Sequence, residues 1–177
     1  MRTFLLACIL ALGSWSLSAQ VDAKLNVGSF IFGGLGVAAD FSLSENTSLS
    51  AGFGYANTDF GSDAFNYKVT RIIPEFRYYL NPERGADKFF VGGYGKLSFT
   101  TAEDEVDNTS VDATRGALGI LFGNKWVTDG GFLFELNMGL GRGTTFGDGD
   151  GEDDFEDAFN TLTAFDFRLG IIAGWRF

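Results

Sequence analysis

The sequence predicts an all-β protein, an eight-stranded antiparallel up-and-down transmembrane β-barrel. Among 177 residues there are 20 Phe and 25 Gly but 2 Pro, a composition typical of many strands joined by turns. Eight segments alternate apolar and polar residues, and most reach the about 9–11 residues that a tilted strand needs to cross a bilayer. The predicted strands are 24–32, 35–43, 48–58, 67–80, 88–100, 115–127, 131–143 and 161–177.

The N-terminus, "MRTFLLACILALGSWSLSAQ", has the layout of a secretory signal peptide. One arginine precedes an apolar run over 4–12, and small and polar residues then lead to Ala19, after which we expect cleavage. The predicted organisation is therefore a signal peptide over 1–19 and one outer-membrane barrel domain over 20–177. Because the single cysteine, Cys8, lies in the signal peptide, the mature barrel must be stabilised by hydrogen bonding and burial.

The connections between predicted strands alternate in length. With the mature N-terminus in the periplasm, the second, fourth and sixth are compact: "SENT", "NPERGADK" and "TDGG". The third, fifth and seventh are longer: "NTDFGSDAFN", "TAEDEVDNTSVDA" and "TFGDGDGEDDFEDAFN". Short turns on one side and long loops on the other are typical of outer-membrane barrels, and only the first connection, around Gly33 and Gly34, departs from this asymmetry.

Pro74 falls inside the fourth predicted strand. Proline has no backbone N–H and cannot donate to a neighbouring strand. A barrel has no free edge at which this loss would be harmless. We therefore expect a bulge or a local kink at Pro74.

Each predicted strand has one apolar face and one face of charged residues and glycine, since successive side chains point to opposite sides of a sheet. In the last strand the apolar face comprises Phe165, Phe167, Leu169, Ile171, Ala173, Trp175 and Phe177. A soluble lipocalin-like barrel would turn this face inward, whereas a membrane barrel would turn it toward lipid. The two architectures thus predict opposite orientations of the same pattern.

Three features of the sequence favour the membrane. The polar face carries many glycines, which would leave room for long charged side chains inside a narrow tube. Aromatic residues on the apolar face lie near strand ends, as in the girdles at membrane interfaces; they are Tyr55, Tyr78, Trp126, Phe132 and Trp175. The chain also stops at Phe177, within a strand pattern rather than in a polar tail.

The C-terminal segment "FRLGIIAGWRF" resembles the signal by which the barrel-assembly machinery recognises outer-membrane barrels. The blocks "KFFVGGYGKL", "GNKWVTDGGFLFELNMGLGRG" and "RLGIIAGWRF" resemble motifs of a family of small outer-membrane barrels common in Bacteroidetes. This resemblance implies a Gram-negative outer-membrane location and a role of Trp175 and Phe177 in assembly. Its motifs concern the fold and imply no activity.

Charged side chains of the polar faces are expected to fill the lumen. They are Lys24, Arg71, Arg77, Lys96, Arg115, Lys125, Arg168 and Arg176, together with Asp40, Glu75, Glu135 and Asp166. An eight-stranded barrel is just wide enough to be filled by its own side chains, and buried opposite charges should pair. The interior is therefore expected to be plugged. The alternative is a narrow porin-like ion path, which the excess of cations would bias toward anions.

Two acidic loop segments, "AEDEVD" and "DGDGEDDFED", contain no Lys or Arg. The simplest interpretation is a solvated loop face. The alternative is a divalent-cation site at Asp148, Asp150, Glu152 and Asp154 that bridges to lipopolysaccharide phosphates. This spacing fails as an EF-hand, because Asp153 replaces the required glycine and Phe159 replaces the bidentate glutamate.

The chain has no histidine, which excludes Ser-His and Asp-His catalysis, and we expect neither an enzyme nor a cofactor. A net charge of −10 argues against nucleic acid as a partner. The expected role is structural or accessory in the cell envelope, as a small barrel or a subunit of a larger outer-membrane complex. Its expected partners are outer-membrane lipid, lipopolysaccharide and the assembly machinery. The alternatives are a narrow passive channel and a soluble periplasmic binder of an apolar ligand.

Overall fold

The computed structural model describes residues 20–31, 33–59, 65–104, 109–146 and 164–177. Eight antiparallel strands follow one another around a closed barrel, and the last strand pairs with the first. They are β1 (Val21–Asn26), β2 (Gly34–Ser42), β3 (Thr47–Asp59), β4 (Phe65–Leu80), β5 (Lys88–Asp104), β6 (Thr109–Val127), β7 (Phe132–Phe146) and β8 (Phe165–Arg176). The predicted all-β, eight-stranded antiparallel barrel is thus confirmed.

One short helix, α1 (Val27–Ile31), stands where the first predicted strand was expected to continue. The Ser29 hydroxyl donates to the Asn26 carbonyl at 2.6 Å, and the Gly33 N–H donates to the Phe30 carbonyl at 3.2 Å. These local bonds replace the ladder, so β1 ends at Asn26. In the described part of the chain, no helix is long and apolar enough to cross a membrane. The predicted signal peptide, 1–19, lies outside the described residues.

The β5–β6 hairpin is longer than the sequence pattern predicted. Its pairing continues to Asp104 opposite Thr109, through residues that were expected to form a loop. The Thr101 hydroxyl donates to the Asp112 carboxylate of the next strand at 2.8 Å, which supports this polar extension. The barrel wall is therefore tall at β5 and β6 and low at β1 and β2.

Pro74 interrupts the pairing of β4 without a bulge. The ladder between β4 and β5 passes from Ile72 opposite Leu97 directly to Glu75 opposite Tyr94, with the same register on both sides. Of the two distortions expected, a bulge or a local kink, the bulge is absent, because the missing N–H is accommodated by a two-residue gap in the pairing with β5. Pro74 lies over Gly95, where a Cβ would be 3.5 Å from the proline Cγ.

The barrel closes at the chain termini. Asp22 of β1 lies opposite Arg176 of β8, and the Phe177 N–H donates to the Val21 carbonyl at 2.9 Å. We call this end of the barrel, which also carries the turn between β4 and β5, the terminal end. The opposite end, with α1, is the loop end.

The apolar faces of the strands point outward and the charged faces inward. Phe167 and Leu169 of β8 are 57% and 65% exposed, whereas Glu135 on the other face of β7 is 0% exposed. Phe134, Leu136 and Ile171 are exposed as well. The interior is therefore formed mainly by the alternating polar set, whose side chains an eight-stranded barrel is just wide enough to hold.

Candidate functional site

The interior of the barrel concentrates ionisable side chains from seven of the eight strands. The inward-facing cations are Lys24, Arg71, Arg77, Lys96, Arg115, Lys125, Arg168 and Arg176, and the inward-facing carboxylates are Asp22, Asp40, Glu75, Glu135 and Asp166. Alternation places all of them on one side of the sheet. Most are joined by ion pairs, which we describe from the centre outward.

Arg77 and Glu135 lie at the centre of the lumen, on strands from opposite parts of the wall. The Arg77 Nη1 lies 2.9 Å from the Glu135 Oε2, which also accepts from the Lys24 Nζ at 2.5 Å. The Asn137 amide donates to the second Glu135 oxygen at 2.7 Å. All the acceptor oxygens of this buried carboxylate therefore have partners, as an ion in a low-dielectric interior requires.

Two chains of ion pairs extend from Arg77. Toward the loop end, its guanidinium contacts Glu75 at 2.5 Å, and Glu75 contacts the Arg168 guanidinium at 2.5 Å. In the other direction, Arg77 lies 3.3 Å from the carboxylate of Asp40, which also contacts Lys24. Because the charges alternate along this path, Glu75, Arg77 and Asp40 each face opposite charge on both sides.

Asp22 continues the network to the terminal end. Lys125 bridges Asp40, at 3.3 Å, and Asp22, at 2.7 Å. The Arg176 guanidinium then donates to both oxygens of Asp22, at 2.6 and 2.9 Å. Such a bidentate pair is among the stronger polar contacts in proteins. Asp22 was not a sequence-predicted lumen residue, because the predicted first strand began at Lys24.

A second, smaller cluster surrounds Asp166 of β8. Its carboxylate contacts the Lys96 ammonium, accepts from the Tyr94 hydroxyl at 2.7 Å and lies 3.6 Å from the Arg115 guanidinium. Lys96 and Arg115 belong to β5 and β6, which are separated from β8 by β7. The cluster therefore ties the tall side of the wall to the closing strand.

Aromatic rings fill the lumen beside these ions. Arg77 lies over the Phe90 ring at 4.7 Å, Lys125 over Tyr79 at 4.7 Å, and Arg168 over Tyr94 at 5.2 Å. Tyr79 and Phe90 are fully buried and contact each other, with ring centroids 5.3 Å apart. Each cation–π contact stabilises a desolvated cation by up to about 2 kcal/mol. Phe90 was missed from sequence, since an apolar residue on a polar face has no distinguishing pattern.

The turn over 81–87 covers the terminal end of the lumen. The Arg176 guanidinium donates to the carbonyls of Arg84, Gly85 and Ala86 at 2.7 to 3.1 Å, although β8 stands across the barrel from this turn. Ala86 is fully buried, and its N–H donates to the Glu45 carbonyl at 2.8 Å. The turn therefore acts as a plug that is held at both sides of the opening.

Local contacts shape this plug. The Asp87 carboxylate accepts from the N–H groups of Glu83 and Arg84 at 2.7 and 3.1 Å, as Asp does in tight turns. Gly85 and Lys88 adopt left-handed φ angles of 67° and 71°, as residues of tight turns do. At the exposed rim, a hydrogen bond and the charge of Lys88 hold the pKa of the Glu83 carboxyl below its ordinary value.

Glycines of β6 and β7 make room for the Tyr94 ring. A Cβ at Gly119, Gly139 or Gly141 would lie 2.5 to 3.0 Å from atoms of this tyrosine. Real Cβ atoms do not approach so closely, so any side chain here would displace the ring. The glycines of the polar faces are therefore part of lumen packing on this side of the barrel.

Replacing Gly119 by Ala is expected to destabilise the barrel by about 1–3 kcal/mol, the usual effect of overpacking. The new methyl would lie 2.5 Å from the Leu140 carbonyl oxygen as well as from the Tyr94 ring. Gly93→Ala is the matched control on the outer face, where the nearest atom would be 3.8 Å away. Urea unfolding, monitored by tryptophan fluorescence, measures the free energy of unfolding of both variants. Equal effects of the two substitutions would contradict this account of the inward glycines.

A cavity of about 550 Å³ lies beside the small residues of β2 and β3 at the loop end. Gly36, Ala38, Gly52 and Gly54 form one wall, and Lys24, Glu75, Arg77 and Arg168 line its deeper part. Arg71 also lines it, and its guanidinium has no ion pair or hydrogen bond within the described part of the chain. Among the described residues, the lumen is thus packed toward the terminal end and contains a cavity toward the loop end.

The predicted metal candidates Asp148, Asp150, Glu152 and Asp154 lie outside the described residues. Within the described ranges, no group of three or more Asp, Glu, His or Cys side chains is arranged to hold a metal ion. Carboxylates that gather in the lumen are instead occupied by Lys and Arg.

Fold and interior together define a class of protein, the small closed antiparallel β-barrel with an ionic lumen and an apolar exterior. The chain belongs to the family described as Protein of unknown function (DUF3575), which matches residues 3–146. Neither a curated protein nor a solved structure gives a significant match. The chemistry of the barrel itself must therefore indicate its function.

Proposed function

We propose that this protein is a small non-enzymatic barrel of the bacterial outer membrane with a structural or accessory role. The observation that carries the proposal is the orientation of the two faces. Leu136 on the outer face of β7 is exposed, while its neighbour Glu135 is buried and paired with two cations. This arrangement suits a protein whose surroundings are less polar than its interior.

The extent of the apolar exterior supports membrane insertion. All eight strands expose large apolar residues, including Leu25, Phe53, Phe76, Leu97 and Leu169. Soluble monomers rarely expose contiguous apolar patches above a few hundred Å². The third candidate, a soluble lipocalin-like binder, needs the opposite orientation, with the apolar set inside.

Paired aromatic residues near the terminal end provide a second argument. On the outer face, Phe132 meets Trp175 with centroids 6.3 Å apart, and Trp126 stacks on Phe134 at 5.7 Å. Tyr78 is exposed at the same end and Tyr55 toward the other. Aromatic side chains in these positions anchor barrels at the two membrane interfaces.

The packed lumen favours a structural role over a channel. Arg77, Lys125 and Glu135 fill the section of the barrel and are almost completely inaccessible to solvent. The turn over 81–87 closes the space beneath them. An ion would have to separate buried pairs in order to pass, which costs several kcal/mol per pair.

No catalytic role is proposed, because the chain has no histidine and the lumenal carboxylates are held by cations. The expected partners are outer-membrane lipid, lipopolysaccharide and the assembly machinery, which would recognise Trp175 and Phe177. Both residues are exposed at the closing seam of the barrel. The connections at the loop end would contact a larger envelope complex.

Cell fractionation of a Gram-negative host that expresses the full chain tests this function. We expect the protein in the outer-membrane fraction, with a folded form that migrates faster than the heated form in gels. Purified folded barrel should give no conductance steps in planar bilayers. Recovery in the soluble periplasmic fraction would favour the lipocalin-like alternative, and reproducible conductance of the folded form would favour the channel.

A further inference from the structure

We infer that the cavity at the loop end binds a small organic anion, with a phosphate or carboxylate group and a short apolar part. The lumen brings eight cations together with five carboxylates, so positive charge exceeds negative charge among the described inward residues. This inference goes beyond the proposed function and does not depend on where the barrel is located.

The charge excess is concentrated beside the cavity. Among the described residues, the Arg71 guanidinium lines it without an ion pair, and Arg168, which also lines it, contacts one carboxylate, Glu75. A guanidinium is ionised at any physiological pH and binds the planar or tetrahedral oxygens of carboxylates and phosphates. A half-buried cation without a partner is stabilised when an anion binds next to it.

Apolar side chains line the cavity beside these cations. Val69, Ile73 and Ile172 face it, and the absence of side chains at Gly52 and Gly54 creates much of its space. A volume of about 550 Å³ lies within the roughly 300–1,000 Å³ of small-molecule sites. Inorganic phosphate alone would leave most of this volume unfilled, so the apolar part should add affinity.

The low wall of the barrel provides access. Ser29 of α1 and Gly33 lie along the cavity, where β1 has already ended at Asn26. On the far side, β5 and β6 extend well beyond this level. Among the described residues, this leaves a route for an anion beside α1 that does not cross the buried ion pairs beneath.

Isothermal titration of the folded, detergent-solubilised barrel with hexyl phosphate, inorganic phosphate and hexanol tests the inference. We expect saturable binding of hexyl phosphate at one site, weaker binding of inorganic phosphate, and no saturable binding of hexanol. Equal binding of hexanol and hexyl phosphate would overturn the assignment of an anion site, as would a folded barrel that binds none of the three.

Two variants locate the site. Arg71→Gln should weaken hexyl phosphate binding by roughly ten- to a hundredfold, the usual effect of losing a hydrogen bond to a charged group. Gly54→Leu should abolish it by filling the cavity, since a Cβ there meets Arg71 only at an ordinary 3.6 Å. Arg84→Gln, which removes an exposed cation at the terminal end, is the matched control and should bind normally.

Heat modifiability in gels identifies the folded barrel for each variant. Unchanged hexyl phosphate binding by folded Arg71→Gln and Gly54→Leu would overturn the inference. An equal loss of binding in Arg84→Gln would also overturn it, because it would indicate nonspecific attraction to positive charge. Failure of membrane fractionation would leave these titrations interpretable, because the cavity requires only the closed barrel.

Discussion

Glu135→Gln is expected to lower the free energy of unfolding by about 3–5 kcal/mol, since it removes the negative partner of buried cations. Glutamine keeps the shape of the side chain, so the loss reports charge rather than a cavity. Lys24 and Arg77, at 2.5 and 2.9 Å from the carboxylate, would then retain fewer acceptors. Urea unfolding in detergent, followed by the fluorescence of Trp126 and Trp175, measures this change.

Glu83→Gln is the matched control, because Glu83 forms an exposed ion pair with Lys88 at 2.9 Å. Exposed pairs contribute little, so its unfolding curve should overlay that of the unmodified chain. A double-mutant cycle of Lys24→Gln and Glu135→Gln should also show strong coupling. A loss below about 1 kcal/mol for Glu135→Gln would mean that the lumen is hydrated and that its ion pairs are not structural.

Leu136→Arg is expected to destabilise the barrel in lipid vesicles by about 2–4 kcal/mol, the cost of an arginine on the lipid face near the bilayer midplane. Leu136 is exposed and lies four residues along β7 from Phe132. With about 3.3 Å per residue and a tilt of about 40°, it lies about 10 Å inside the terminal-end girdle. That depth is close to the middle of an apolar band about 25 Å tall.

Leu43→Arg is the matched control at the terminal end, where Leu43 is also exposed. An arginine near an interface should cost about 0–1 kcal/mol. Unfolding of both variants in vesicles therefore measures a dependence on depth that a water-exposed surface does not have. If both substitutions fall within about 0.5 kcal/mol of the unmodified barrel, as at ordinary solvated positions, the membrane proposal is wrong.

The number of strands and the face on which each side chain lies could be predicted, because both follow from the local alternation of apolar and polar residues. A period of two assigns Glu135 and Arg77 to one face of their strands without knowledge of any neighbour. The same reasoning failed at α1, where local hydrogen bonds within 26–33, one from the Ser29 side chain and one between backbone groups, compete with the ladder. It also ended β5 too early, because a polar hairpin has weak apolar alternation even when its backbone pairing is complete.

The sequence indicated which charged residues would form the ion-pair network but not which of them would contact one another. Lys24 and Glu135 are 111 residues apart in sequence, and their contact depends on how the strands are staggered around the closed barrel. The omission of Asp22 shows the same limit, since a three-residue error in the start of β1 removed the partner of Arg176 and Lys125. The plug over 81–87 had no signal beyond ordinary turn residues.

The sequence by itself determined that eight strands would each separate an apolar face from a charged one, since this separation depends only on the alternation of side chains along an extended chain. The tertiary structure decided which face curves inward, which ions meet across the lumen, and where glycine leaves a packed ring or an open cavity. These properties depend on barrel closure, because the pairing of β8 with β1 sets the height of every residue relative to strands remote in sequence.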